Sequence, residues 1–216
     1  MQLFDSSLIY NVPCRQFYQL LLILKNYVGV GLMVGFSRFF RRFVKQIIYG
    51  DPLKKHLQRG LKVGKNFYLL EEVILDFSHT FHIEIGDDVT LAPRVHILAH
   101  DASTKKYLGY TRLGKVKIGN CVFVGAGSII LPGVTIGNNV IIGAGSIVSS
   151  DVPDGQLVAG NPARKISSTE EYMARKKLEM NSSPRFEKEY TMACNVTPEM
   201  KNEMNSKMKN RIGYIV

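Results

Sequence analysis

Aliphatic residues open every sixth position from Ile118 onward: Ile118, Val124, Ile130, Ile136, Ile142 and Val148. A small or aliphatic residue sits four places after each, at Val122, Ser128, Val134, Val140, Ser146 and Val152, and Gly follows the opening residue at 119, 125, 137 and 143. The blocks 118–135 and 136–153 share ten of their eighteen positions. A strand repeats every two residues and a helix every 3.6, so a period of six with a super-period of eighteen is neither. It predicts a triangular solenoid with one short strand per side and three sides per coil, the opening residues stacked in the core. Asn120, Asn138 and Asn139 fall near corners, where they are expected to take left-handed backbone geometry and bond locally. Looser turns of the same kind precede, at Val63-Gly64, Ile85–Val89 and Leu91–Val95.

The rhythm stops once. Ile85 and Ile118 are 33 residues apart, one coil of eighteen plus fifteen. A coil admits such an insertion as an excursion from a corner, here about residues 101–115, and long loops on rigid scaffolds are frequently functional. The excursion carries Tyr107 and Tyr110 among polar residues, and His100 stands where it leaves the coil.

The flanks read differently. Residues 1–60 form an arm in which Phe36, Phe39, Phe40, Phe43, Val44, Ile47 and Ile48 mark one helical face, with Arg38, Arg41, Arg42 and Lys45 opposite. Upstream, residues 17–36 are largely apolar but are broken by Gln19, Lys25 and Asn26. The arm is expected to cap the open end of the solenoid, to lie on a membrane surface through residues 17–48, or both. After the solenoid at 61–166 comes a polar tail, 167–216. There Ser168 and Glu171 form a capping box for a helix to about Met180, Pro184 ends that helix, and a second runs from about Pro198 to Lys209.

The net charge of +10 sits mostly in the arm, where nine Lys and Arg face two acidic residues. A nucleic-acid binder spreads basic residues over its folded face, so nucleic acid is not an expected partner. Three scattered cysteines, Cys14, Cys121 and Cys194, and no recognisable signal peptide point to the cytoplasm, with possible peripheral contact at the inner face of the membrane.

The hexads, their interruption, the run Ala92-Pro93-Arg94-Val95 leading to His100, and the closing Val158–Ile166 (VAGNPARKI) resemble the hexapeptide-repeat acyltransferases. The likeness is strongest to the sugar O-acetyltransferases of the maltose and galactoside type and their surface-polysaccharide relatives. It implies a left-handed parallel β-helix, a homotrimer with active sites between subunits, and acetyl-CoA as donor with no metal. It implies that His100 is the general base for a sugar or glycan hydroxyl, with Asp76 and His79 binding the acceptor. Ala126 and Ala144 would leave room for the pantetheine arm, with Ser149 and Ser150 further on. Arg164 and Lys165 would meet the nucleotide phosphates.

Acyl transfer from a thioester needs a base for the attacking hydroxyl, a donor for the developing oxyanion and two substrates held together. A neutral imidazole suits the first task. No GxSxG is present, so direct attack is the expected route. His96 is the rival base, and an amino sugar is the alternative acceptor. Two other classes compete. One is a zinc enzyme like the γ-type carbonic anhydrases, drawing on His79, His82, His96 and His100. The other is a non-catalytic membrane-surface scaffold.

Overall fold

The structure, a computed structural model, describes residues 52–191 and 193–216. The Phe-rich helical face and the apolar run of the arm lie outside the described residues. A helix, α1 (Pro52–Gln58), leads into the solenoid.

Each coil lays down three short strands. The first face holds β1 (Lys62–Val63), β4 (Ile83–Ile85), β9 (Val116–Ile118) and β12 (Thr135–Ile136), all parallel. The second holds β2 (Tyr68–Leu69), β5 (Thr90–Leu91), β10 (Phe123–Val124), β13 (Ile141–Ile142) and β15 (Gln156–Ala159). The third holds β3 (Ile74–Leu75), β6 (His96–Ile97), β11 (Ile129–Ile130) and β14 (Ile147–Val148). The result is a parallel β-helix, as the six-residue period requires.

The register follows the sequence period. Ile118 pairs with Ile136, Val124 with Ile142 and Ile130 with Val148, each eighteen apart. Ile130 and Ile142 have no exposed surface, and Ile118, Ile136 and Val148 have almost none. Ser128 and Ser146, at the small inward positions, are fully buried too. Both hydroxyls donate to the Gly143 carbonyl, which removes the cost of burying them. Gly119 follows an opening residue because its coil passes so near the next that a Cβ there would sit 2.8 Å from Asn138 Oδ1.

The corner asparagines divide their work otherwise than the sequence suggests. Asn139 does take left-handed backbone, φ 55°, as do Asn66, Asp88 and Cys121 in the same column. Asn120 and Asn138 do not, and they bond between coils. Asn138 Oδ1 accepts from the Asn120 N–H, Asn120 Oδ1 from the Asp87 N–H, and Asp87 Oδ1 from the Lys65 N–H. Asp154 Oδ1 continues the ladder by accepting from the Asn138 N–H. Corner N–H groups have no strand partner, so one oxygen per coil satisfies them.

After β15 the chain turns back as β16 (Arg164–Ser168), antiparallel to it, and enters α3 (Thr169–Asn181). The Ser168–Glu171 capping box is formed in both directions. Beyond it, β17 (Arg185–Phe186) pairs with β18 (Tyr214–Ile215), and α4 (Pro198–Met208) lies between them in sequence. Among the described residues no helix is long and apolar enough to cross a membrane.

Candidate active site

Two irregularities of period share one edge of the prism. Val63 pairs with Ile85 and Leu75 with Ile97, a step of 22 residues in place of eighteen. Ile85 pairs with Ile118 and Ile97 with Ile130, a step of 33. Both surpluses leave the solenoid after the third face, before the first face of the next coil. The short excursion, 76–82, therefore lies directly below the long one, 98–115.

The long excursion is an ordered hairpin. His100–Asp101 (β7) pairs antiparallel with Arg112–Leu113 (β8), and a helical turn, α2 (Lys105–Leu108), fills the tip. The Gly114 N–H donates to the Ala99 carbonyl and closes its base. Tyr107 and Tyr110 are each 81% exposed, and Lys106 Nζ lies 5.9 Å from the Tyr107 ring centroid.

Asp76 joins the two excursions. Its side chain is 1% exposed. Oδ1 accepts from the N–H groups of Ser78 and His79, and Oδ2 accepts from the Ala99 N–H. Oδ2 also lies 2.5 Å from His100 Nδ1. Burial pushes the carboxyl up, but the donors from Ala99, His100 and His79 outweigh it and hold Asp76 below the usual carboxylate range. A carboxylate only accepts, so in the neutral form of the His100 ring Nδ1 carries the proton and Nε2 keeps its lone pair. The His100 side chain is 36% exposed, open enough to meet a substrate. The expectation that Asp76 binds acceptor hydroxyls meets a different arrangement: its oxygens are shielded and already serve four donors.

His79 stands beside the pair. Its ring centroid is 5.0 Å from that of His100, and its Nδ1 is buried without a hydrogen-bond partner. His96 takes no part in the Asp76 cluster: it lies in β6 on the third face, paired in register with Ile74 and Ile129. Among the described residues the one metal-competent group is Asp76, His79 and His100, so the four-histidine set is not brought together.

The short excursion is braced by His56 and Arg59, which sequence reasoning missed. His56 Nδ1 is 3.0 Å from Oγ1 of buried Thr80. The Arg59 guanidinium lies 3.6 Å from the Phe77 ring centroid and donates to the Phe77 carbonyl. The 22-residue step was the available signal, because a coil with four surplus residues needs outside support there.

The expected donor-site residues lie elsewhere. Ala126 and Ala144 are exposed and stack on the edge between second and third faces, where the Gly145 N–H donates to the Ala126 carbonyl. Ser149 and Ser150 are exposed on the His100 edge, two coils further on. Arg164 and Lys165 are exposed on β16. A groove lined by Gly64, Gly86, Gly119 and Gly137 follows another edge, and no expected site residue enters it.

A rigid parallel β-helix that aims a carboxylate-braced imidazole out of one edge offers a fixed base to a substrate bound there. Comparison with known proteins gives the family. Residues 115–150 match the bacterial transferase hexapeptide (six repeats). The chain is 43% identical over 141 residues to protein CapG of Staphylococcus aureus, covering 63% of this chain and 80% of that one. It is 40% identical over 117 residues to the putative acetyltransferase YvoF of Bacillus subtilis (strain 168), 54% of this chain and 66% of that one. It is 34% identical over 113 residues to galactoside O-acetyltransferase of Escherichia coli (strain K12), where it covers 50% of its own length and 53% of the relative's. The chain belongs to the hexapeptide-repeat transferase family, as an acyltransferase.

Proposed function

We propose that the protein moves an acetyl group from acetyl-CoA to a sugar hydroxyl, in the building of a surface glycan or polysaccharide, with His100 as general base. The observation that carries this reading is the buried Asp76 carboxylate on His100 Nδ1, which leaves Nε2 to take the hydroxyl proton. Asp76 orients the ring and steadies the imidazolium as it forms. The hydroxyl oxygen attacks the thioester carbonyl directly, the tetrahedral intermediate collapses, and the CoA thiolate leaves with the proton from His100. The name of the Escherichia coli relative, galactoside O-acetyltransferase, supports a sugar acceptor and an O-linked product.

A homotrimer fits this reading. His100 and the Ala126/Ala144 column occupy different edges of one prism, and a second copy would bring its His100 to acetyl-CoA bound along that column. In this reading His79, whose ring centroid lies 5.0 Å from that of His100, binds the acceptor beside it. The working compartment is the cytoplasm, with residues 17–48 as a peripheral membrane contact. Membrane fractionation with and without residues 1–50 tests that contact.

The deciding experiment is acetyl-CoA turnover with a panel of sugars, run beside His100→Ala. Loss of turnover with folding and CoA binding retained is expected. A His100→Ala protein that acetylates at the wild-type rate would overturn the assignment.

A further inference from the structure

His79 carries an atom that no described residue serves. Its Nδ1 is buried, has no hydrogen-bond partner and stands 3.9 Å from Asp76 Oδ1. Buried polar atoms without partners are costly, and in native proteins each one asks for an explanation, ion binding among them. The rest of the ring is not sealed off, for the side chain is 28% exposed. The adjacent His82 ring lies nearly parallel to it, with 6.2 Å between the ring centroids.

The surroundings suit a borderline-soft divalent cation. Asp76, His79 and His100 each offer one ligating atom, all within 4.8 Å of one another. Two imidazoles on one tetrahedral zinc, with Zn–N of about 2.0–2.1 Å, hold their ring centroids about 5 Å apart. The His79 and His100 centroids are 5.0 Å apart, with the planes inclined at 48°. A tetrahedral zinc separates its ligand atoms by about 3.3 Å, so modest rotation of two part-exposed side chains completes the approach. Asp76 already serves four donors and stays behind His100, the usual carboxylate–histidine–metal arrangement. Mg²⁺ and Ca²⁺ want six or more oxygens, which this corner does not supply.

We propose that this corner binds one zinc-type ion through His79 and His100, with water completing the coordination, and that the bound ion shuts off acetyl transfer. The inhibition rests on the function proposed above; the binding does not. The ion takes the His100 lone pair that would accept the hydroxyl proton, so occupancy and catalysis exclude each other. His79 is the residue that makes the switch, since His100 alone would be a single, weak ligand.

The test begins with binding, in the absence of acetyl-CoA and acceptor. Full-length protein stripped with a chelator is titrated with zinc against a chromogenic competitor, and with cobalt(II) while its visible d–d bands are followed. One ion per chain is expected, with affinity at least tenfold weaker in His79→Asn and in His100→Asn and unchanged in His96→Asn. Zinc should also protect His79 and His100 of the unaltered protein from diethylpyrocarbonate, read by mass spectrometry, which needs no variant to fold. Absence of binding, equal affinity in His79→Asn, or equal modification of His79 with and without zinc would each sink the site. Where turnover is measurable, zinc should inhibit it in step with occupancy; full activity at saturating zinc would overturn the inhibitory role and leave the transferase assignment untouched.

Discussion

Asp76 Oδ2 and His100 Nδ1 lie 2.5 Å apart across two successive excursions of the solenoid, 24 residues apart in the chain. The contact exists because both surplus segments leave the same edge. A base oriented this way depends on its carboxylate even when that carboxylate touches no substrate.

Asp76→Asn should therefore lower turnover by about 10²–10⁴-fold, the scale seen when the carboxylate behind a catalytic histidine becomes an amide. The amide nitrogen cannot accept from Nδ1–H, and the ring loses its tautomer preference. Steady-state kinetics beside direct CoA titration checks this: kcat should fall while CoA affinity holds. An unchanged kcat would remove Asp76 from the mechanism.

Asp76 also sets an acid limit. Its folded pKa is depressed, so its contribution to stability is fully present above its unfolded pKa, about 3.9, and is lost as pH falls through the folded value. Stability from this group should be level down to about pH 5 and decline below about pH 4. Denaturant melts of wild type and Asp76→Asn should accordingly differ most near neutrality and converge in acid. A gap that widens on acidification would contradict the assigned ionisation.

Arg59→Ala should loosen the short excursion. It removes the guanidinium stacked on Phe77 and the bond to the Phe77 carbonyl, a loss of about 1–2 kcal/mol. Amide hydrogen exchange should quicken at Ser78 and His79, whose N–H groups bind Asp76, more than in the aliphatic core. Exchange that is uniform along the chain would show that Arg59 braces nothing in particular.

Cys121→Asn should stabilise the protein. Cys121 is exposed at φ 55°, one coil before Asn139 at the same angle, and asparagine tolerates that conformation better. A gain of about 0.5 kcal/mol is expected, read as a higher denaturant midpoint at constant slope. A lower midpoint would mean the thiol makes a contact worth more than the backbone strain.

The solenoid was legible from Ile118 to Val152 because its period is local: each opening residue stacks on the one eighteen places later, and the sequence repeats at that distance. The long excursion was legible as a break in that rhythm, and His100 as the residue at its root. The short excursion was legible only as a step of 22 between Val63 and Ile85, since its four surplus residues fall where the repeat is already loose. The inner roles of Ser128 and Ser146 followed from the period. The ladder of Asn120 and Asn138 did not, because an oxygen that serves the next coil and one that serves its own turn look alike in sequence.

The sequence alone determined the parallel β-helix, the point where its rhythm breaks and the place of His100 at that break. These rest on repetition, and repetition is written in one dimension. The role expected of His100 came from the family resemblance. Only the tertiary structure decided that Asp76 bonds to His100, that His96 stands apart, that His79 carries a buried nitrogen without a partner, and that His56 and Arg59 support the short excursion. Those facts depend on which residues two unequal insertions bring to the same height on one edge. Insertion lengths of four and fifteen do not state that height until the coils between them are stacked and their strands are in register.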